Sequence, residues 1–448
     1  MHIRIRSSKT RRAATAIGAA VAVSMLVAWS SPSALAATAA GSPARATTLA
    51  STAPGVTPTQ IKVGAISTLT GAIASDFDGF APGMQAYFSL VNSKGGINGR
   101  KITLAYNLDD ASNPTTFTQL AHTLIQQDHV FAVGTSTYWF TPNLFVQTKT
   151  PTYGYNVSGN WAGPNNLYAA GGSTQDYQTG APPVAYLIKQ TKSKSVAIVS
   201  YGSAVTSSYN ACHADARNLA AAGINVSYVD LDAGLGGNFT PAVQHMQQAN
   251  VDFVLSCMQG SDNITLARAI QQYGLKVHQL WFDGYDNSLL QQYKSLMQGV
   301  YININGNVPF TAVKAFKGKY PGEAQYLQTM QKYAPKFLYS QEALQGWQSG
   351  ALLVAGIKAA GANLTQVNVI AQTNKLTNFS SGGIATVTNW SLAHTVNGFP
   401  GCSAFVQVKG TQFVPAVAKA PHVFVCFPQK VNLKNPQLVN APAGTPGA

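Results

Sequence analysis

Charge is scarce in this chain: Asp, Glu, Lys and Arg together make up 10% of 448 residues, with 15 acids against 29 bases. The bases lie scattered without a dense run, and no nucleic-acid-binding module accompanies them, which argues against nucleic acid as a partner. Cysteines number four, with no CxxC pair, and eight histidines are dispersed singly. His122, His129, His245 and His278 read as surface or core residues, not as catalytic bases. No GxSxG elbow, HExxH helix, P-loop or GxGxxG turn is present. The chain therefore reads as no enzyme, with no catalytic residue, metal site or cofactor expected. Past residue 36 no run of eighteen apolar residues occurs, so no membrane span is expected in the mature chain.

What is present begins with export. Arg4, Arg6, Lys9, Arg11 and Arg12 precede an apolar stretch from Ala13 to Trp29, and Ala34-Leu35-Ala36 follows. That order of basic, apolar and small-residue regions is a secretory signal peptide over 1–36, cleaved near Ala36, and it predicts a periplasmic or cell-wall location. The twin arginines admit folded export, but the residues after them fit ordinary secretion better. No cysteine follows the apolar stretch, so the usual bacterial lipid anchor is not expected. Cleavage removes five bases and no acid, taking the formal charge from +14 to +9. Residues 37–57 and 429–448 are rich in Ala, Thr, Ser, Pro and Gly, and read as a flexible leader and tail.

In an exported chain Cys212, Cys257, Cys402 and Cys426 predict two disulfides, with three pairings open. Cys212–Cys257, from a helix to a strand end, and Cys402–Cys426, between two strands of a terminal hairpin, are preferred. A zinc site of Cys212, His213 and Cys257 is a weaker alternative.

Between leader and tail the pattern is strand, loop, helix, repeated. "IKVGAIS" (61–67) reads as a strand and "GFAPGMQAYFSLVNSKG" as a helix; 100–108 alternates as a second strand after the Asn98-Gly99 turn. Asp109 and Asp110 then serve as loop and capping groups before a helix over 112–127. "FAVG" (131–134) and 150–156 are further strands. A second series contains "SVAIVSY" (195–201), helix 210–223, "INVSYVDL", helix 241–250, "VDFVLSC" and helix 263–274. A long apolar helix (340–361) and a hairpin turning at Lys409-Gly410 end the pattern. Short apolar strands alternating with amphipathic helices imply parallel sheets covered on both faces, and two series imply two lobes.

The order of these pieces resembles the type I periplasmic-binding proteins of the branched-chain amino-acid branch. The resemblance rests on "IKVGAISTLTGAIAS", "LVNSKGGINGRKITLAYNLDDASNP", "AAAGINVSYVDLDAGLGGNFTPAVQHMQQANVDFVL" and "AIQQYGLKVHQLWFDGYDN", and covers roughly 58–428. It implies an α/β fold of two doubly wound, Rossmann-like lobes, 58–170 with 306–389 and 171–305 with 390–428. Three crossovers near Ala170, Asn305 and Asn389 form the hinge. It implies a monomer that holds a small molecule between its lobes and delivers it to an ABC transporter permease, or, alternatively, reports it to a signalling partner. The first-lobe loops matching the family's ligand loops bring Thr137, Tyr138, Thr141, Val157 and Ser158, with Phe77 as a wall. Tyr138-Trp139-Phe140 replaces the serine-rich pattern familiar in the first of these loops. The second lobe offers Tyr201, Gln259 and Asp283. Asp283 stands where the family's ammonium-binding acid is found, or else caps the next helix.

Overall fold

In the computed structural model the described residues are 53–71, 73–174, 181–310, 321–396, 402–417 and 423–427. The signal peptide, most of the leader and the tail lie outside them. Val56, at the end of the stretch read as leader, is buried and bridges Ile61.

Gln60–Ser67 forms β1, paired in parallel with β2 (Lys101–Asp109) on one side and β3 (Ala132–Ser136) on the other. β4 (Thr152–Gly154) and β5 (Leu167–Ala169) complete a five-stranded parallel sheet in the order β2-β1-β3-β4-β5. Parallel strands need helical crossovers on both faces, so central strands are buried on both sides and are written as unbroken apolar or small residues. β3 is buried throughout, and β1 is buried from Val63 onward. β3 falls close to the strand expected over 131–134, whereas the three residues of β5 are too short a signal for the sequence pattern to resolve.

The second sheet repeats this winding. β6 (Val196–Tyr201) lies between β7 (Val226–Ala233) and β8 (Phe253–Ser256), and β9 (His278–Trp281) and β10 (Tyr301–Asn303) extend it, all parallel. β11 (Cys402–Lys409) runs antiparallel to β10, and β12 (Gln412–Ala416) and β13 (Phe424–Cys426) are antiparallel to β11. Antiparallel addition closes one end of the sheet without a further crossover helix. Both disulfides belong to this half: Cys212, on the Thr206–Ala221 helix, joins Cys257, and Cys402 joins Cys426, its direct strand partner. With Cys212 and Cys257 bonded to each other, the zinc alternative loses both thiolates and keeps only His213.

The chain returns to the first sheet through the Gln341–Ala360 helix, which packs along the Phe80–Ser93 helix. It is buried along nearly its whole length, as expected for a helix apolar on most faces. Ser340 caps it, its hydroxyl accepting from Ala343 N at 3.2 Å. The two helices cross at glycines: a Cβ on Gly83 would fall 1.9 Å from Ala343 O, and one on Gly346 1.9 Å from Phe80 O. Only glycine permits that approach.

Other expectations were sharpened locally. The helix read over 112–127 divides into Pro114–His122, capped by Asn113, and a π-helical turn over Thr123–Gln127. Asp109 and Asp110 hold loops: Asp109 Oδ1 accepts from Leu69 N at 2.8 Å, and Asp110 Oδ1 accepts from Thr68 Oγ1 at 2.8 Å. No helix of the described residues is long and apolar enough to cross a membrane.

Candidate functional site

A sheet ordered β2-β1-β3 reverses its winding between β1 and β3, and the loops leaving these two strands diverge to either face. That switch point is where open α/β sheets leave a crevice. The second sheet has the same reversal between β6 and β8. The loop after β1 carries Asp76 and Phe77, and the loop after β3 carries Thr137 and Tyr138. Tyr201 ends β6, and Gln259 follows β8. The two switch points face each other, and their loops touch.

Contact across the gap is direct. Ser207 Oγ, at the start of the Thr206–Ala221 helix, donates to Val157 O at 2.7 Å. Ser261 Oγ donates to Asp76 Oδ2 at 3.3 Å. Asn287 N donates to Tyr339 O at 2.7 Å, beside the Asp286–Ser340 bridge. On the first-sheet side Phe77 packs edge-on to Tyr138, ring centroids 5.2 Å apart, and near Tyr155 at 6.4 Å; Ile73 and Val157 complete this small apolar cluster.

On the second-sheet side hydrogen bonds set the loops. Tyr201 OH donates to Asp262 Oδ2 at 2.6 Å and accepts from Gln259 N at 3.2 Å, so its hydroxyl is spent on holding the β8 loop. Asp262 Oδ2 also accepts from Gly236 N at 3.0 Å. Asn263 Nδ2 bridges Met258 O and Asp283 O, tying the loops after β8 and β9 together. Asp283 Oδ1 accepts from its neighbour Gly284 N at 2.7 Å. The cap of the following Asn287–Gln292 helix is Asp286, which accepts from Ser288 N and Leu289 N.

Carboxyls gather here, and among the described residues none of Asp76, Asp283 and Glu342 forms a salt bridge. Burial, followed by the charge of Asp283, lifts Asp76 well above the usual carboxylate range against the pull of Ser261. Burial lifts Asp283 to about 6, although the Gly284 and Gly260 N–H groups favour its charged form. Glu342, at the start of the long helix, is raised by burial and then by Asp283, while Ser340 Oγ donates to its Oε2 at 2.8 Å. The more open Asp78, by contrast, has Lys336 Nζ at 3.8 Å. Among the described residues no three His, Cys, Asp or Glu side chains are grouped so as to hold a metal ion.

Phe77, Tyr138, Val157, Ser158, Tyr201, Gln259 and Asp283 thus come together at the gap. Thr137 stands just behind, its buried hydroxyl bonded to Thr68 Oγ1 at 3.1 Å. Thr141 does not join them; it is exposed, 3.5 Å from Thr118 Oγ1. Reading the sequence missed Asp76, Tyr155, Ser207, Ser261, Gln341 and Glu342. A signal for Gln341 was available: Gln341, Gln345 and Gln348 fall at i, i+4 and i+7 of an otherwise apolar helix, a polar stripe on a buried element. Gln341 Nε2 donates to Tyr155 OH at 3.3 Å, and Gln348 Nε2 to Asn307 Oδ1 at 2.7 Å. Beside them a cavity of about 80 Å³ is lined by Tyr155, Asn156, Ala170, Gly171, Asn305, Gly306, Asn307, Gln345, Gln348, Ala385 and Thr386.

The family model described as "Periplasmic binding protein" matches residues 60–412. No curated protein sequence matches the chain at a significant level. Among solved structures, a fatty acid ABC transporter substrate-binding protein from Thermomonospora curvata superposes with a TM-score of 0.68 at 18% identity, covering 88% of this chain and 97% of its own. A branched-chain amino-acid ABC transporter protein from Thermus thermophilus with bound valine gives 0.65 at 18%, covering 80% and 95%. An R. palustris solute-binding protein in complex with 4-hydroxybenzoate gives 0.64 at 18%, covering 80% and 96%. The paired sheets, their facing switch points and the match over most of the chain lead to one conclusion: this chain belongs to the periplasmic binding protein family, with the two-lobed type I α/β fold.

Proposed function

We propose that the chain is an extracytoplasmic solute-binding protein that closes over a small polar solute, such as an amino acid or a related amide or carboxylate, and delivers it to the permease of an ABC importer. The observation that carries this reading is the meeting of two switch points from separate sheets through Ser207–Val157 and Ser261–Asp76. A solute seated there touches both halves only when they are together, so its binding favours the closed form. The lobes are 58–170 with 306–389, and 171–305 with 390–428. The hinge comprises the passages near Ala170, Asn305 and Asn389. Ala170 follows β5, the last strand of the first sheet, and Asn305 follows β10, which supports this division. Phe77, Tyr138, Val157, Ser158, Gln259 and Asp283 contact the solute, and Tyr201 acts through the loop it holds.

The relatives with valine, a fatty acid transporter or 4-hydroxybenzoate in their descriptions support solute capture as the shared task while differing in solute. The test is native mass spectrometry of the purified protein for a retained small molecule, with small-angle scattering before and after its removal. A retained molecule whose loss expands the protein supports the reading. A molecule seated away from the gap, or binding with no change in dimensions, overturns it.

A further inference from the structure

Two side-chain hydrogen bonds reach across the gap from the second half, and they leave from different elements. Ser207, which donates to Val157 O, stands in the first turn of the Thr206–Ala221 helix; Ser261, which donates to Asp76 Oδ2, stands in the first turn of the Gly260–Gln272 helix that follows β8. Neither helix has a side-chain cap: Val205 and Gln259 occupy the cap positions without such a bond. An uncapped first turn leaves N–H donors unmet and opens at low cost, so other ties must hold these turns where they meet the first half. Hydrogen bonds around Tyr201 supply part of the tie. Tyr201 N donates to Ser208 Oγ at 3.1 Å, and its hydroxyl accepts from Gln259 N at 3.2 Å. The Cys212–Cys257 disulfide supplies the covalent part. Cys212 lies five residues past Ser207 on one helix and Cys257 three residues ahead of the other, both buried, with Cα atoms 5.9 Å apart. The second disulfide differs. It joins β11 and β13 where strand register already pairs Cys402 with Cys426, and no residue named at the gap lies on either strand.

We propose that Cys212 and Cys257 are positioning residues for solute capture, their disulfide holding the two uncapped turns as one body so that Ser207 and Ser261 meet the opposite half together. This rests on the binding-protein reading and deepens it. Without the disulfide each turn opens by itself, and a solute drawing the halves together must order both, which lowers its affinity. With it, the ordering is complete once the protein has folded.

The experiment compares the exported protein, freed of retained solute, with Cys212→Ala/Cys257→Ala and with Cys402→Ala/Cys426→Ala, by amide hydrogen exchange read on peptides covering 207–212 and 258–263. Loss of the first disulfide is expected to speed exchange in both peptides about ten-fold beyond any change in the Thr240–Gln248 helix, and loss of the second to leave both within about two-fold of that helix. Equal acceleration of all three segments by the first pair overturns the positioning role, because the disulfide then only stabilises the fold. Ser208→Ala keeps the disulfide and removes the bond from Tyr201 N, and it decides the matter even where an alanine pair fails to fold. Exchange over 207–212 should then change less than about two-fold; a rise of about ten-fold would transfer the positioning to Ser208 and overturn the proposal. Calorimetric titration with leucine, 4-hydroxybenzoate and octanoate reads the consequence for binding. For a probe that binds, Ser207→Ala should weaken affinity about five-fold with both disulfides present and less than about two-fold once Cys212–Cys257 is gone. An equal loss in the two backgrounds overturns the proposal while leaving the binding-protein reading intact. With no binding from the three probes, exchange decides the positioning role, and the retained-solute measurement decides the broader reading.

Discussion

Gly346→Ala is the substitution on which the packing argument is most exposed. The methyl group would begin 1.9 Å from Phe80 O, 2.7 Å from Phe80 C and 3.0 Å from Met84 N. A carbon and a carbonyl oxygen settle at roughly 3.2 Å or more, so the helices must part by over about 1 Å. The obstruction is backbone, which cannot swing aside. Overpacking of this kind costs about 1–3 kcal/mol, sometimes more, and the better helix propensity of alanine returns at most about 1 kcal/mol. A net loss of about 1–2 kcal/mol follows. Gly350, one turn further along the same helix, is the internal control: there a Cβ would meet Met84 O, Phe88 and Tyr87 at 3.4 Å, ordinary contact. Gly350→Ala receives the same propensity gain without the clash and is expected to be neutral or slightly stabilising. Urea unfolding of the two variants isolates the steric term as their difference. Gly83→Ala should reproduce the loss, and the Gly83→Ala/Gly346→Ala double variant should cost less than the sum, because one separation relieves both clashes. Equal midpoints for Gly346→Ala and Gly350→Ala would refute the close crossing. Solute affinity should fall alongside stability in Gly346→Ala, since Gln341 and Gln345 ride on the displaced helix.

Three further outcomes are expected. Replacing Cys212 and Cys257 by serine opens a loop of 45 residues and should destabilise the protein by about 4 kcal/mol in urea titrations, against about 3 kcal/mol for Cys402 and Cys426, whose separation is 24. Burial raises Asp215 to about 7 from 3.8, so the folded state keeps a proton that the unfolded chain loses. Its stabilising contribution is complete below about pH 4 and disappears as pH rises through 7, a loss of about 4 kcal/mol that Asp215→Asn should not display. Unfolding curves for both proteins across pH 4–8 that run parallel would contradict this. Ser207→Ala removes a hydrogen bond between the halves and should weaken binding of the retained solute about five-fold, or about 1 kcal/mol, with unfolding of the solute-free protein little changed.

The repeating winding was legible because buried parallel strands must be written as short apolar runs, and helices between them as amphipathic stretches. Val63 to Ser67 and Val196 to Tyr201 carry that signal without ambiguity. β5 did not, since three residues hold no period. At the site, Phe77, Tyr138, Gln259 and Asp283 lie in loops after strands, where position alone nominates them. Asp76 escaped notice because one acid in a loop resembles every other capping acid; its significance arises only when the opposite half brings Asp283 and Ser261 to it. Thr141 was nominated by the same positional logic, but the loop after β3 turns at Phe140, which is buried against Trp161 at 4.1 Å, leaving the threonine outside. Gln341 and Gln345 were hidden by composition, three amides being easily lost in an apolar helix.

The glycine crossing also bears on the order in which the molecule is made. Phe80 and Met84 emerge from the ribosome early, yet the helix that covers them is translated only after every parallel strand of the other half. Until then the nascent first sheet lacks its lid, and an oily flank of Phe80, Met84 and Phe88 stays open to chaperones. The first half therefore cannot finish its core until most of the second half has been made, so the two halves complete their packing together and not in the order of their synthesis.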